Sequence, residues 1–384
     1  MNNKQILITG KQIPNKLKKQ IKGDNPKKIF LVTGKKSYFN SKSNDFIESI
    51  INDFSFIRFY DFSENPKIED VKRGIELFKK NNCDYVISIG GGSVLDMAKL
   101  INIGCANESD FSYLVNNCSK IKRKGKKLIA IPTTSGSGSE ATHFAVLYVN
   151  EKKYSISHPE YMLPDVVVLA PSLTYTNSKK QTAISGVDAF SQAVESFWSN
   201  NSTIESRRYS TKAIKIILKY LPKAVNQNCV ISREKLLFGS YFAGCAINIA
   251  KTTGAHALSY TLTSKYQIQH GQAVILTLIE WFEFNSHAND KNVSDKRGLK
   301  YVKNIMLRLK MLISGTKVTA FTIQTLLNFM KSIDISTTLN DFEIRHEELE
   351  IIVNNVNIER LDNNPVFVNK NDLLMLLKNS IERS

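Results

Sequence analysis

Lys28-Ile29-Phe30-Leu31-Val32-Thr33 is an unbroken, β-branched apolar run that stops at Gly34. Asp84-Tyr85-Val86-Ile87-Ser88-Ile89 stops at three glycines, and Leu128-Ile129-Ala130-Ile131-Pro132 and Val166-Val167-Val168-Leu169 repeat the pattern. Ile68 to Asn81, between the first two, has helical spacing. Strands that are apolar on both faces and alternate with helices fit a parallel sheet covered by helices on both sides. This predicts an α/β parallel-sheet domain over residues 1–176.

From about Asn177 the texture changes. Val187 to Trp198, Glu205 to Leu221, Glu234 to Ala250, Val318 to Phe329 and Asp372 to Ile381 are periodic segments separated by Asn-, Ser- and Thr-rich turns. They predict an all-α C-terminal domain over residues 177–384. At 384 residues the chain is long enough to bury two cores without disulfides or structural metals. Its five cysteines are an odd, scattered set with no Cys-x-x-Cys spacing, which argues against a disulfide framework and a thiolate zinc site.

The 52 Lys and Arg exceed the 35 Asp and Glu, a net charge of +17. Because the excess is spread in short clusters with no finger, RNA motif or basic zipper, a nucleic-acid partner is not expected. No run of eighteen apolar residues occurs, and Ile6-Leu7-Ile8 is too short for a signal-peptide core. The expectation is a cytoplasmic protein with no membrane partner.

Gly90-Gly91-Gly92-Ser93 follows a strand run and precedes a helix start at Val94. Glycines there let the backbone approach a pyrophosphate, and free N–H groups at the helix N-terminus stabilise the anion. An ordinary tight turn has the same composition. Pro132-Thr133-Thr134-Ser135-Gly136-Ser137-Gly138-Ser139-Glu140 follows another strand, where its hydroxyls and amides suit phosphate or ribose oxygens. Asp188 and Gln192 lie four residues apart on one helix face, at what reads as the helix start. With His256 and His270, Asp188 supplies three ligands for a divalent cation, with a position left for a substrate oxygen. Spacing alone also allows these histidines to be ordinary polar residues. Glu195, seven residues past Asp188, falls near the same face and is a candidate to support the ligands. Trp198 and Trp281 read as helix packing.

Gly90-Gly91-Gly92-Ser93 with Asp96 and Lys99, the Thr133-to-Ser137 loop, Gly186-x-Asp188-Ala189, His256 to His270-Gly271 and Asn363-Asn364-Pro365 resemble, in order, the motifs of the iron-dependent (group III) alcohol dehydrogenase family. The resemblance implies a Rossmann-like N-terminal domain and a helical metal-binding domain in a dehydroquinate synthase-like architecture. A nicotinamide cofactor and a divalent metal, Fe2+ or Zn2+, would meet between them, and family habit suggests a homodimer. Asp188, His256 and His270 resemble family metal ligands. The usual fourth ligand, a His, is Gln192 here, and a further family His is Tyr260. Gly91, Gly92, Ser93, Asp96, Thr133, Thr134, Ser137 and Lys153 fall at cofactor positions, with Lys152 as an alternative register for Lys153. Where NAD-preferring members carry an acid after the early strand, this chain has Gly34, Lys35 and Lys36, which should admit NADP(H) as well as NAD(H).

The segments around Gln192 and His256 look most like the phosphonoacetaldehyde reductase branch, which makes 2-hydroxyethylphosphonate in phosphonate biosynthesis. An anionic substrate needs cations, and Lys251 and Lys265, each five residues before a ligand histidine, join Tyr260 as substrate-binding candidates, with Arg207 and Arg208 more distant. Surface lysines are the alternative reading. A general reductase of small aldehydes and alcohols is the second functional reading, and a degenerate nucleotide-binding protein the third.

Overall fold

The computed structural model describes residues 5–107, 111–150, 152–356 and 358–383. The chain divides into two compact units, Met1–Asn177 and Ser178–Ser384.

The first unit carries β1 (Ile6–Ile8), β2 (Ile29–Thr33), β3 (Phe56–Phe59), β4 (Tyr85–Gly90), β5 (Lys127–Pro132), β6 (Phe144–Val149), β7 (Lys152–Ser157) and β8 (Val166–Val168). Six form one parallel sheet in the order β1-β8-β5-β4-β2-β3, and β6 and β7 pair antiparallel apart from it. Alternate residues of the central strands enter two different cores. Ile29, Leu31, Ile87, Ile89, Ile129 and Ile131 pack with Leu17, Ile21, Ile47 and Ile50 on one face, whereas Phe30, Val32, Val86 and Leu128 meet Val71, Met97, Ala98 and Ile101 on the other. This period of two explains why the central strands read as continuous apolar runs.

Strand order reverses between β2 and β4: the chain runs outward from β2 to β3, then returns to build β4, β5 and β8 on the other side. The carboxyl ends of β2 and β4 therefore flank a topological switch point, where open parallel sheets bind ligands. Helix α1 (Gly92–Ala106) starts directly after β4.

In the second unit, α2 (Lys179–Trp198), α3 (Ile204–Asn226), α4 (Val230–Ala250), α5 (Gly254–Tyr266) and α6 (His270–Ser286) precede further helices, the last over Lys370–Glu382. Trp198 and Trp281 are fully buried in its core. Helix α2 begins earlier than its apolar pattern suggests, because the Ser178 side chain caps it by accepting from the Gln181 N–H at 3.1 Å. Asp188 thus sits more than two turns inside the helix, not at its start. Among the described residues no helix is long and apolar enough to cross a membrane.

Candidate metal centre and cofactor edge

Asp188, His256 and His270 converge in the second unit, each offering a ligand atom within 4.8 Å of the others. Asp188 projects from the interior of α2, His256 from the first turn of α5, and His270 is the first residue of α6. Gly271 makes the last of these approaches feasible. A Cβ there would lie 2.1 Å from the Ile184 carbonyl oxygen and 3.0 Å from the Asp188 Cβ, so only glycine lets α6 begin against α2.

Glu195 fixes His256. Its side chain is fully buried, and Oε1 accepts from the N–H groups of Thr253 (3.1 Å), Ala255 (3.0 Å) and His256 (3.3 Å) and from the Thr253 hydroxyl (2.9 Å). A carboxylate at this helix start satisfies unpaired donors and meets the positive end of the helix dipole. Oε2 accepts from His256 Nδ1, which turns Nε2 toward Asp188. Nε2 stands 3.5 Å from Asp188 Oδ1. Both atoms are buried and neither has a hydrogen-bond partner. Two orphaned donor-set atoms, with His270 beside them, fit a bound divalent cation. Burial opposes charge on Asp188, but His256, His270 and Gln192 outweigh it and hold the carboxyl below its ordinary range. Burial likewise disfavours protonated His256, yet Glu195 and Asp188 push its pKa up to about 9. Gln192, one turn after Asp188, acts with the histidines to hold that carboxyl down.

Tyr260 also belongs to this cluster. Its ring lies parallel to His270, 6.3 Å between centroids at 6°, and its hydroxyl accepts from Arg360 Nη1. Arg360 escapes sequence reading: it is a single arginine with no motif around it and lies about a hundred residues past Tyr260. The lysines proposed beside the ligands are elsewhere. Lys265 is exposed in the last turn of α5, its Nζ 5.4 Å from the Tyr266 ring, and nine residues after His256 it faces the opposite side of the helix. Lys251 is exposed in the cap of α4. Arg207 is buried on Ser202 and the Tyr301 hydroxyl, and Arg208 is exposed.

The nucleotide candidates gather at the carboxyl edge of the sheet in the first unit. Gly34 follows β2, Gly91 caps α1, and Thr133 follows β5 with its N–H on the Gly90 carbonyl at 3.0 Å. No side chain caps α1, which leaves its first N–H groups to an outside acceptor. Gly92 is needed for close approach: a Cβ there would sit 2.8 Å from the Ser137 hydroxyl. Thr134 lies beside Gly91, 3.7 Å from where a Cβ would stand. Asp96, the next of these candidates, is held inside the unit. Its carboxylate accepts from the Ser139 hydroxyl at 2.5 Å and the Val146 N–H at 2.9 Å, bracing the serine-rich loop and the β6–β7 hairpin. Lys99 serves the same brace through Ser139, Thr142 and the Phe144 carbonyl, and burial lowers its pKa to about 8. Burial raises the Asp96 pKa, and Lys153, on β7, is among the groups that oppose that rise; Lys152 is exposed. Lys35 is exposed and pairs with Asp61 at 3.6 Å. Arg58 donates to the Thr33 hydroxyl (2.7 Å) and the Gly34 carbonyl (3.1 Å) and stacks over Tyr38 and Tyr60, adding a cation that the sequence reading did not single out.

Known proteins resemble this chain in sequence and fold. The chain is 31% identical over 293 residues to long-chain-alcohol dehydrogenase 1 of Geobacillus thermodenitrificans, covering 76% of this chain and 72% of that protein. It is 30% identical over 246 residues to the phosphonoacetaldehyde reductase of Streptomyces viridochromogenes, 62% of each. The sulfoacetaldehyde reductase of Bifidobacterium kashiwanohense, solved in complex with NAD+, superposes with a TM-score of 0.85 at 28% identity, covering 99% of this chain and 98% of that one. Residues 4–171 match the domain described as iron-containing alcohol dehydrogenase, and residues 182–381 match the C-terminal domain of the same group. With both domains matched in sequence and an Asp-His-His cluster in the second, the chain belongs to the iron-containing alcohol dehydrogenase family.

Proposed function

We propose that the chain is a metal-dependent NAD(P)H reductase of a short anionic aldehyde, converting phosphonoacetaldehyde to 2-hydroxyethylphosphonate. The observation that carries the redox chemistry is the buried pair of unbonded ligand atoms, Asp188 Oδ1 and His256 Nε2, with His270 alongside. The phosphonate preference is supported by the similarity to a phosphonoacetaldehyde reductase. Similarity to a long-chain-alcohol dehydrogenase favours the second reading, a broad reductase of aldehydes and alcohols.

Asp188, His256 and His270 would hold the cation, and Gly91, Gly92, Ser93, Thr133, Thr134 and Ser137 would receive the dinucleotide. When bound, the divalent cation supplies a Lewis acid for the carbonyl oxygen and the reduced nicotinamide supplies hydride for the carbon. By accepting from His256 Nδ1, Glu195 holds the ring proton on that nitrogen, so Nε2 would be available as a ligand. Burial of Asp188 and His256 strengthens their electrostatic effect on a polarised substrate. Water, or a hydroxyl of the dinucleotide when bound, would supply the proton that completes the alcohol.

Two measurements test this reading. Chelation of the holoenzyme is expected to abolish aldehyde reduction while nicotinamide fluorescence still reports cofactor binding, and re-addition of Fe2+ or Zn2+ identifies the working metal. On the reconstituted enzyme, kcat/KM for phosphonoacetaldehyde should exceed that for propanal; equal values leave the broad reductase, and full activity after metal removal rejects the mechanism.

Cofactor choice is a separate expectation. Gly34 in place of an acid, with Lys35 and Lys36 beside it, favours a 2′-phosphate. Replacing both lysines by alanine should shift the NADPH-to-NADH ratio of kcat/KM about tenfold toward NADH, as expected from two exposed charges. An unaltered ratio assigns both lysines to the solvated surface.

A further inference from the structure

The phosphonate reading requires a cation near the ligand cluster, and Lys251, Lys265, Arg207 and Arg208 do not provide it. Arg360 meets the requirement. Its guanidinium carbon lies 4.5 Å from the centroid of the Tyr260 ring, and Nη1 donates to the Tyr260 hydroxyl. Tyr260 in turn lies parallel to His270 at 6.3 Å, and the His270 ring is 5.5 Å from that of His256. Arg360 is thus one aromatic ring away from a metal-ligand candidate.

The arginine is half-buried, and among the described residues it makes no ion pair with a carboxylate. The nearby acids are committed elsewhere. Glu195 is spent on His256 and the start of α5, and Asp188 faces His256. A guanidinium carries five N–H donors in a planar fork, of which the Tyr260 hydroxyl takes one. Stacking on the ring holds the fork in place while leaving its edge able to grip an oxyanion in two-point fashion.

The Asn363-Asn364-Pro365 motif explains why this segment stays put. Asn363 donates to the Ala250 and Thr252 carbonyls, both at 2.9 Å, and accepts from the Ser199 hydroxyl at 3.0 Å. Asn364 exchanges amide hydrogen bonds with Asn285 at 2.9 and 3.0 Å. The turn that follows Arg360 is therefore tied to the residues just ahead of α5, which carries His256 and Tyr260, and to the end of α6.

We propose that Arg360, stacked on Tyr260 beside the Asp188-His256-His270 cluster, binds the terminal oxyanion of the substrate and sets the preference for a charged over a neutral aldehyde. This rests on the anionic-aldehyde reading above and names the residue that recognises the charge. Phosphonate and sulfonate offer the same tetrahedral oxyanion, so the assay includes both.

The test compares the reconstituted wild-type holoenzyme with Arg360→Ala, Arg360→Lys and Tyr260→Phe on phosphonoacetaldehyde, sulfoacetaldehyde and propanal. Arg360→Ala should lower the charged-to-neutral ratio of kcat/KM about 10- to 100-fold, mostly through KM, the range expected for a charge-assisted hydrogen bond. Arg360→Lys keeps charge without the fork and should fall between, and Tyr260→Phe, which removes the hydroxyl acceptor, should lose severalfold. Calorimetric titration of the NAD-loaded enzyme with 2-hydroxyethylphosphonate reads the same loss in binding. The lysine and phenylalanine variants carry the test if the alanine protein fails to fold. A wild-type charged-aldehyde preference that survives in the variants overturns the role of Arg360 and leaves the proposed reaction standing. A wild-type enzyme with no preference for either charged aldehyde overturns both. The larger wild-type ratio identifies phosphonate or sulfonate as the matched group.

Discussion

Glu195→Gln is expected to weaken metal retention about 10- to 100-fold and to lower turnover accordingly, although the replacement is nearly the same shape. The reason is proton placement. If the glutamine carbonyl keeps the place of Oε1, where three N–H groups and a hydroxyl converge, its NH2 group must face His256 Nδ1. That nitrogen must then accept, which moves the ring proton to Nε2, the atom directed at Asp188. A protonated Nε2 cannot ligate. If the amide flips, its NH2 group confronts the N–H donors of the α5 start and the helix loses its cap. Elemental analysis after extensive dialysis, with kcat/KM on the same preparation, measures the effect. Retention of a full metal complement in the variant shows that the carboxylate is not needed to orient the ring.

The second large effect is expected at Gly271. A Cβ at 2.1 Å from the Ile184 carbonyl meets backbone, so no rotamer change relieves it. Either α6 moves away from α2 or the backbone of α2 distorts, and overpacking of this kind costs about 3 kcal/mol or more. For a helical unit of this size the melting temperature of Gly271→Ala should fall by roughly 6–12 °C. The same displacement moves His270, the first residue of α6, away from Asp188. Metal content should therefore drop together with stability. Thermal melting and metal analysis of one sample check both, and a variant that melts normally with its metal in place would mean that the two helices tolerate separation.

Much of this architecture is legible before any coordinate is known. The strands β2, β4, β5 and β8 are apolar on both faces, and that signature is local. The edge strands β1 and β3 span only three and four residues, too short for a periodic signal. In the β6–β7 hairpin, β6 is an unbroken apolar run that carries its own strand signal, whereas β7 is mostly polar and the turn signal is a single Asn150 at φ 46°, easily lost beside the Gly- and Ser-rich loop preceding β6. At the start of α2 a usable signal exists: Ser178 stands three residues before Gln181, the spacing of an N-terminal cap. Weighting the apolar periodicity above that cap places the start too late.

Within the candidate site, helix arithmetic works only inside one helix. Glu195 is seven residues after Asp188, nearly two full turns, and the structure brings it to the same cluster through His256. Applied to Lys251 and Lys265, counting five residues back from a histidine carries no such force, because five residues place a side chain well around the helix or beyond its end. Arg360 lies a hundred residues past its tyrosine partner. Only the packing of the asparagine-braced turn against the α5 start creates that neighbourhood.

The two acids flanking His256 ride on one continuous rod, whereas the imidazoles arrive at the tips of two later rods. Assembly of the cation cage is consequently a docking event: a chain with α2 formed but α5 and α6 still detached would own the carboxylates and lack the grip. Uptake of the ion during refolding would then report the moment at which tertiary order is completed, well after helical content has recovered.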